Sequence, residues 1–319
     1  MNKVQGAIFG LAVGDALGVP VEFRSREYLK ANPLKDMIGY GTHNQPPGTW
    51  SDDSSLAFCL AETLCDMYSL KALAIKFINW REHNYWTPHG EVFDIGITTA
   101  NAILQLEKGK SPVLAGMNDE YSNGNGSLMR VLPLIFYIKD MPIVKRFEHI
   151  NDVSSITHSH IRSVISCFIY LEYALNLLKG LDKYEALRQT QISVNQFFTE
   201  FDFRLGNELT HFHRLLETAV GNSEIKPIYK YTENQIQSSG YVLHTLEASF
   251  WAFLTTDTFS EAVLKAINLG SDTDTTGAVA GGLAGLYYGI ETIPENWLDQ
   301  ISRKEDILQL ANRLYNKYF

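Results

Sequence analysis

Gly6, Gly10, Gly14 and Gly18 recur at every fourth residue. On an α-helix that spacing places them above one another on one face and leaves a stripe without side chains. Each glycine costs about 1 kcal/mol relative to alanine in a helix. Four of them call for an offset, and a second backbone lying close along the stripe would supply it. The interleaved Ile8, Leu11, Val13 and Leu17 favour a helix over a mobile glycine-rich loop. Near the other end of the chain, Gly277-Ala-Val-Ala-Gly-Gly-Leu-Ala-Gly285 is similarly rich in small residues. The expectation is two helices, one from each end of the sequence, packed tightly together at the centre.

Helical periodicity continues elsewhere, and sustained period-two alternation is missing. Residues 54–68, 70–80, 164–178, 182–198, 242–254, 259–269 and 307–319 repeat their apolar positions at helical spacing. Loops are expected at 44–48, 123–126 and 221–231, where Gly, Pro and Asn gather. No repeat, low-complexity run or linker divides the 319 residues, so one compact all-α domain over residues 1–319 is expected. Trp50, Trp80, Trp86, Trp251 and Trp297 are expected in the core.

A net charge of −9 argues against a generic nucleic-acid surface. An anionic ligand would need cations or helix N-termini to offset that field. The segment 6–21 is apolar but carries Asp15, and no run reaches the roughly 18 apolar residues of a membrane span. The chain therefore reads as cytoplasmic, with no membrane partner. Cys59, Cys65 and Cys167 follow no zinc or redox spacing and are expected as buried free thiols.

Two acidic clusters carry the chemistry, Ser51-Asp52-Asp53-Ser54 and Ser271-Asp272-Thr273-Asp274-Thr275-Thr276. Each precedes an apolar helix, where Ser, Thr or Asp also serves as an N-cap. A cap needs one side chain, however, and each cluster offers two carboxylates. Adjacent buried carboxylates repel and require cations or protons. With no Cys or His pair nearby, the oxygen donors suit Mg²⁺ or Mn²⁺ rather than zinc. Should Asp52, Asp53, Asp272 and Asp274 converge, they have the composition of a two-metal centre with ions roughly 3.5–4 Å apart. No twelve-residue calcium loop, phosphate-binding loop or dinucleotide fingerprint is present.

The segments Gly6–Gly18 with Pro20-Val-Glu-Phe23, Thr49-Trp-Ser-Asp-Asp-Ser54, Pro88-His-Gly90 with Phe93-Asp-Ile-Gly96, Asn123-Gly-Asn-Gly-Ser-Leu-Met-Arg130, Thr157-His-Ser-His160 and Leu269–Thr275 occur in that order. Together they resemble the ADP-ribosylhydrolase (ADP-ribosylglycohydrolase) family, which includes the dinitrogenase reductase-activating glycohydrolase. The resemblance implies an all-α fold with a central site for two Mg²⁺ or Mn²⁺ ions. By position it assigns Ser51, Asp52, Asp53, Asp272, Asp274 and Thr275 as metal ligands, Ser51 standing where relatives commonly have threonine. It places Glu22 near the scissile bond and Asp94 near the ribose. It lines the diphosphate and ribose pocket with Gly124, Asn125, Gly126, Ser127 and Met129, and sets His158 beside the distal ribose.

That assignment fits the chemistry. Glycosidic cleavage develops positive charge on the anomeric carbon. A carboxylate such as Glu22 or Asp53 can accept a proton from attacking water. Glycine lets backbone N–H groups approach phosphate oxygens. Which of Glu22, Asp53 and Asp94 is base, acid or ligand stays open at this stage. Each residue also has a plainer reading: Glu22 as a surface glutamate, Asp94 as a turn residue, His158 as a buttress, His160 as a cap, and Asp15 as an acceptor for loop backbone. The implied substrate is an ADP-ribosylated protein, with arginine the linkage implied; serine-linked ADP-ribose, O-acetyl-ADP-ribose and modified nucleic acid stay open. The alternative is a binding protein on the same fold that sequesters ADP-ribose or neutralises an ADP-ribosyltransferase partner.

Overall fold

The computed structural model describes residues 2–200, 205, 207–217 and 226–319. Among the described residues there is no strand, and the chain forms a single all-α domain. Its longer helices are Asn2–Gly18, Asp52–Asp66, Leu70–His83, Ile97–Glu107, Ile143–Ser155, Ile161–Leu178, Lys183–Glu200, Val242–Leu254, Phe259–Ile267, Thr273–Tyr288 and Lys304–Tyr318. Every segment expected from periodicity is helical, with ends shifted by a few residues. Ile97–Glu107 and Ile143–Ser155 were not among them. The first has the inward stripe Thr99, Ala102, Ile103 and Leu106, too short and too small to stand out in sequence. Of the expected loop at 221–231, residues 226–231 hold a short turn at Ile228–Lys230; 221–225 lie outside the described residues.

The two glycine helices form the central seam. They run antiparallel, with Gly6 against Gly285, Gly10 against Gly281 and Gly14 against Gly277. A Cβ added at Gly14 would lie 2.0 Å from the Gly277 carbonyl oxygen. No side chain fits there, and the carbonyl cannot rotate away as a side chain would. Gly18 ends the row against the Asp274 backbone, and its carbonyl accepts the Thr273 hydroxyl at 2.8 Å. Thus the seam delivers the second acidic cluster to the end of the first helix.

The seam is sealed on all sides, with Val4 to Gly18 and Thr273 to Leu286 buried continuously. That density corrects one expectation. Asn2–Val21 and Ile161–Leu178 are each long and apolar enough, by composition, to cross a membrane, because Gln5 and Asp15 or Arg162 and Glu172 are too few to lower the mean. Both helices are instead enclosed by other helices. All five tryptophans are buried. Cys59 and Cys167 are buried free thiols, whereas Cys65 is only partly covered, lying near the Leu310 carbonyl at the last helix.

Candidate active site and metal centre

Construction of the site begins with Asp15, fully buried in the first helix. One of its oxygens accepts from the Ser51 N–H at 2.9 Å; the other accepts from the Ser54 N–H at 3.0 Å and the Ser54 hydroxyl at 2.5 Å. Asp15 therefore holds the turn that opens helix Asp52–Asp66, through two backbone N–H groups and one hydroxyl. Ser51 caps that helix, its hydroxyl accepting from the Asp53 N–H at 3.3 Å. Capping and metal-site readings thus coexist: Ser51 caps, and Asp52 and Asp53 remain available in the first turn. Asp272 occupies the equivalent position before Thr273–Tyr288 without a side-chain capping bond.

The two clusters, more than 200 residues apart in sequence, meet. The Thr275 hydroxyl lies 3.4 Å from Asp53 Oδ2, and Ser51 Oγ lies 3.1 Å from the same atom. Asp53 Oδ1, Asp272 Oδ1 and Asp274 Oδ2 are buried without a hydrogen-bond partner among the described residues. An orphaned buried carboxylate oxygen is costly unless something positive satisfies it. Three of them, from three of the four candidate aspartates, with only oxygen donors around, suit a hard divalent cation. Burial, followed by neighbouring carboxylates, pushes Asp53 and Asp274 well above the usual carboxylate range; burial, then Asp94, does the same for Asp52. Burial also raises Asp272, against the bond from the Asn125 amide. Such a cluster is at odds with itself until cations neutralise it.

Glu22 is buried, not a surface residue, and it lines the same cavity. Burial and the charges of Asp94 and Asp272 push it up to about 7, against the hydrogen bond from His43. Ligand atoms of Glu22, Asp272 and Asp274 all lie within 4.8 Å of one another, as do those of Glu22, His43 and Asp94. His43 escaped sequence reading; a single histidine in the loop Gly41-Thr-His-Asn44 has no periodic or spacing signal. Backbone strain gathers here as well. Phe23, Asp94 and Ser271 have φ of +63°, +52° and +68°. For a side chain as bulky as phenylalanine that is an outlier worth roughly 1–3 kcal/mol. Two backbone bonds hold the strained pair, Phe23 N–H to Ser271 O at 2.7 Å and Ser271 N–H to Arg24 O at 2.8 Å.

The glycine-rich loop supplies the opposite wall. Gly124, Asn125, Gly126, Met129 and His158 line one cavity of about 300 Å³ with Glu22, Asp52, Asp94, Asp272 and Thr275. The Asn125 amide donates to Asp272 Oδ2 and to Thr245 Oγ1, both at 2.8 Å, tying the loop to the acidic cluster. A Cβ at Gly126 would fall 2.7 Å from His158 Cε1, so the loop can lie this close only as glycine. His158 Nδ1 bonds the Thr157 hydroxyl at 2.8 Å. Burial, with Arg130 nearby, lowers its imidazole to about 3, leaving it neutral near pH 7. His160 instead caps Ile161–Leu178 through Nδ1. Ser127 departs from expectation: its side chain does not line the cavity, because its hydroxyl is buried against Cys167 Sγ at 3.5 Å. Arg130, also unanticipated, is fully buried and fastens the loop from behind, donating to Gly126 O at 2.6 Å and Val153 O at 3.0 Å. At the mouth Phe23 and Ile97 stand 67% and 82% exposed.

Comparison with known proteins agrees with this architecture. The family model described as ADP-ribosylglycohydrolase matches residues 1–319. A Serratia proteamaculans protein named ADP-ribosylarginine hydrolase Tri1 is 34% identical over 99% of this chain and 79% of its own length. The ADP-ribosyl-[dinitrogen reductase] glycohydrolase of Rhodospirillum rubrum is 28% identical over 95% of this chain and 91% of its own. A solved structure titled ADP-ribosylglycohydrolase-related protein complex superposes with a TM-score of 0.80 at 31% identity, covering 100% of this chain and 98% of that one.

Proposed function

The chain belongs to the ADP-ribosylglycohydrolase family and is a hydrolase acting on ADP-ribose linkages; from that premise we propose that it removes ADP-ribose from arginine side chains of modified proteins. The arginine linkage follows the names of two relatives, the Serratia protein and a Pseudomonas putida protein 31% identical to this chain, both called ADP-ribosylarginine hydrolases. The observation that carries the reading is the meeting of Asp53, Asp272 and Asp274, each with a buried oxygen unpartnered among the described residues; of the three, Asp272 lines the cavity that also holds Glu22.

Ser51, Asp52, Asp53, Asp272, Asp274 and Thr275 are the residues we assign to two Mg²⁺ or Mn²⁺ ions. When bound, such ions orient ribose hydroxyls and acidify a water. The protein's own residues do the rest. Gly124 and Gly126 offer backbone N–H groups to the diphosphate, where side chains would block approach, while the Asn125 N–H is held by Gly240 O at 3.1 Å. The neutral His158 imidazole meets a ribose hydroxyl without adding charge to the site. Met129 lines the same pocket. Glu22 exchanges a proton at the scissile bond through the oxygen not held by His43, and Asp94 faces the positive charge that grows on the anomeric carbon. We also place the protein in the cytoplasm, in keeping with its three free cysteines.

The test is release of free ADP-ribose from arginine-ADP-ribosylated protein with Mg²⁺ or Mn²⁺, alongside an Asp53→Ala control. Metal-dependent release lost in the control supports the reading. Tight ADP-ribose binding without release from any linkage would replace it with a binding protein.

A further inference from the structure

We propose that His43 is a positioning residue for hydrolysis: its imidazole holds one oxygen of Glu22 so that the other stays presented to the cavity. The inference rests on the role given to Glu22 above. His43 Nε2 bonds Glu22 Oε2, whereas Glu22 Oε1 has no hydrogen-bond partner among the described residues. A glutamate has three rotatable bonds, and one fixed oxygen removes most of that freedom.

The loop that carries His43 is built onto the Glu22 segment. Thr42 N–H donates to Pro20 O at 3.0 Å, and the Thr42 hydroxyl donates to Glu22 O at 2.6 Å. A Cβ at Gly41 would lie 1.8 Å from the Pro20 oxygen, so only glycine allows the two backbones to touch. The histidine ring is itself held on two sides, 5.3 Å from the Phe93 ring and 6.0 Å from that of Phe23, each in a tilted contact. Asp94 approaches the same pair, with ligand atoms of all three residues within 4.8 Å of one another, so His43 faces two carboxylates at once. Backbone, hydroxyl and imidazole thus address one short segment, Pro20 to Glu22, at three separate atoms. A loop needed only for packing would not require the third.

His43→Leu removes the donor and keeps the bulk; His43→Gln keeps a donor able to reach the same oxygen. With metal saturating and an arginine-linked substrate, His43→Leu should lower kcat by about 10- to 100-fold. KM and the ADP-ribose Kd from calorimetry should stay within about twofold. His43→Gln should recover most of the loss. An active His43→Leu, a His43→Gln no better than His43→Leu, or a parallel loss of ADP-ribose affinity each overturns the inference while leaving the proposed function standing. Wild-type protein that releases no ADP-ribose from any linkage overturns both.

Discussion

At the scale of single residues, buried carboxylates divide into those that build and those that bind. Asp15 builds: it satisfies three donors from the Ser51–Ser54 turn. Asp15→Ala should destabilise the fold by about 2–4 kcal/mol, since each buried donor left unpaired costs roughly 1–3 kcal/mol; urea unfolding reads this directly. Asp53 binds: its Oδ1 has no partner and its neighbours are like charges. Asp53→Asn should therefore raise the melting temperature of metal-free protein while cutting ADP-ribose release at least about 100-fold. A lower metal-free melting temperature would contradict the repulsion argument. Legibility differs within this set. Paired aspartates before apolar helices announce themselves in sequence, and so do the glycines of the Asn123–Gly126 loop. His43 does not, because it acts through a contact made by the fold; nor does the turning of Ser127 towards Cys167, which depends on the packing of Ile161–Leu178.

Among the helices, the glycine seam gives the sharpest contrast between positions. Gly14→Ala would force a Cβ to 2.0 Å from the Gly277 carbonyl, where only backbone can yield. It should cost more than about 3 kcal/mol or prevent folding. Gly96→Ala meets nothing closer than 4.0 Å and has ordinary extended backbone, φ −62° and ψ 142°, so it should stay within about 0.5 kcal/mol of wild type. Paired thermal melts decide this; equal stability would mean the seam is looser than these distances require. The pairing of these two helices was readable in advance, because a four-residue glycine repeat is costly without a partner and only one other segment offered a matching surface. Ile97–Glu107 was not readable: its inward stripe includes Thr99 and Ala102, and its exposed end carries Ile97, so apolar period and burial disagree.

The molecule as a whole stores like charge at its centre. Asp15 and Glu22 are raised to about 7, from ordinary values near 4, and Asp52, Asp53, Asp272 and Asp274 are raised with them, burial being the first cause in each case. Between about pH 4 and 7 the folded chain retains protons that the unfolded chain has released, so stability falls as pH rises through that window, by up to about 1.4 kcal/mol per group for each pH unit crossed. With EDTA the melting temperature should drop from pH 5 to pH 8; with Mg²⁺ or Mn²⁺ the slope should flatten, because cations take the place of the protons. A melting temperature that climbs with pH in EDTA would refute this. That one domain would form was legible from the missing linker, but the convergence of residues 52–53 with 272–274 was legible only as chemistry, since spacing along a chain says nothing about closure in space. Closure has a consequence for synthesis. The seam joins residues 6–18 to residues 274–285, so a ribosome must have released the chain as far as residue 285 before either half of the acidic centre can find the other. A nascent chain holds the first glycine stripe uncovered throughout that wait, and catalytic competence arrives in a single late event rather than growing with length.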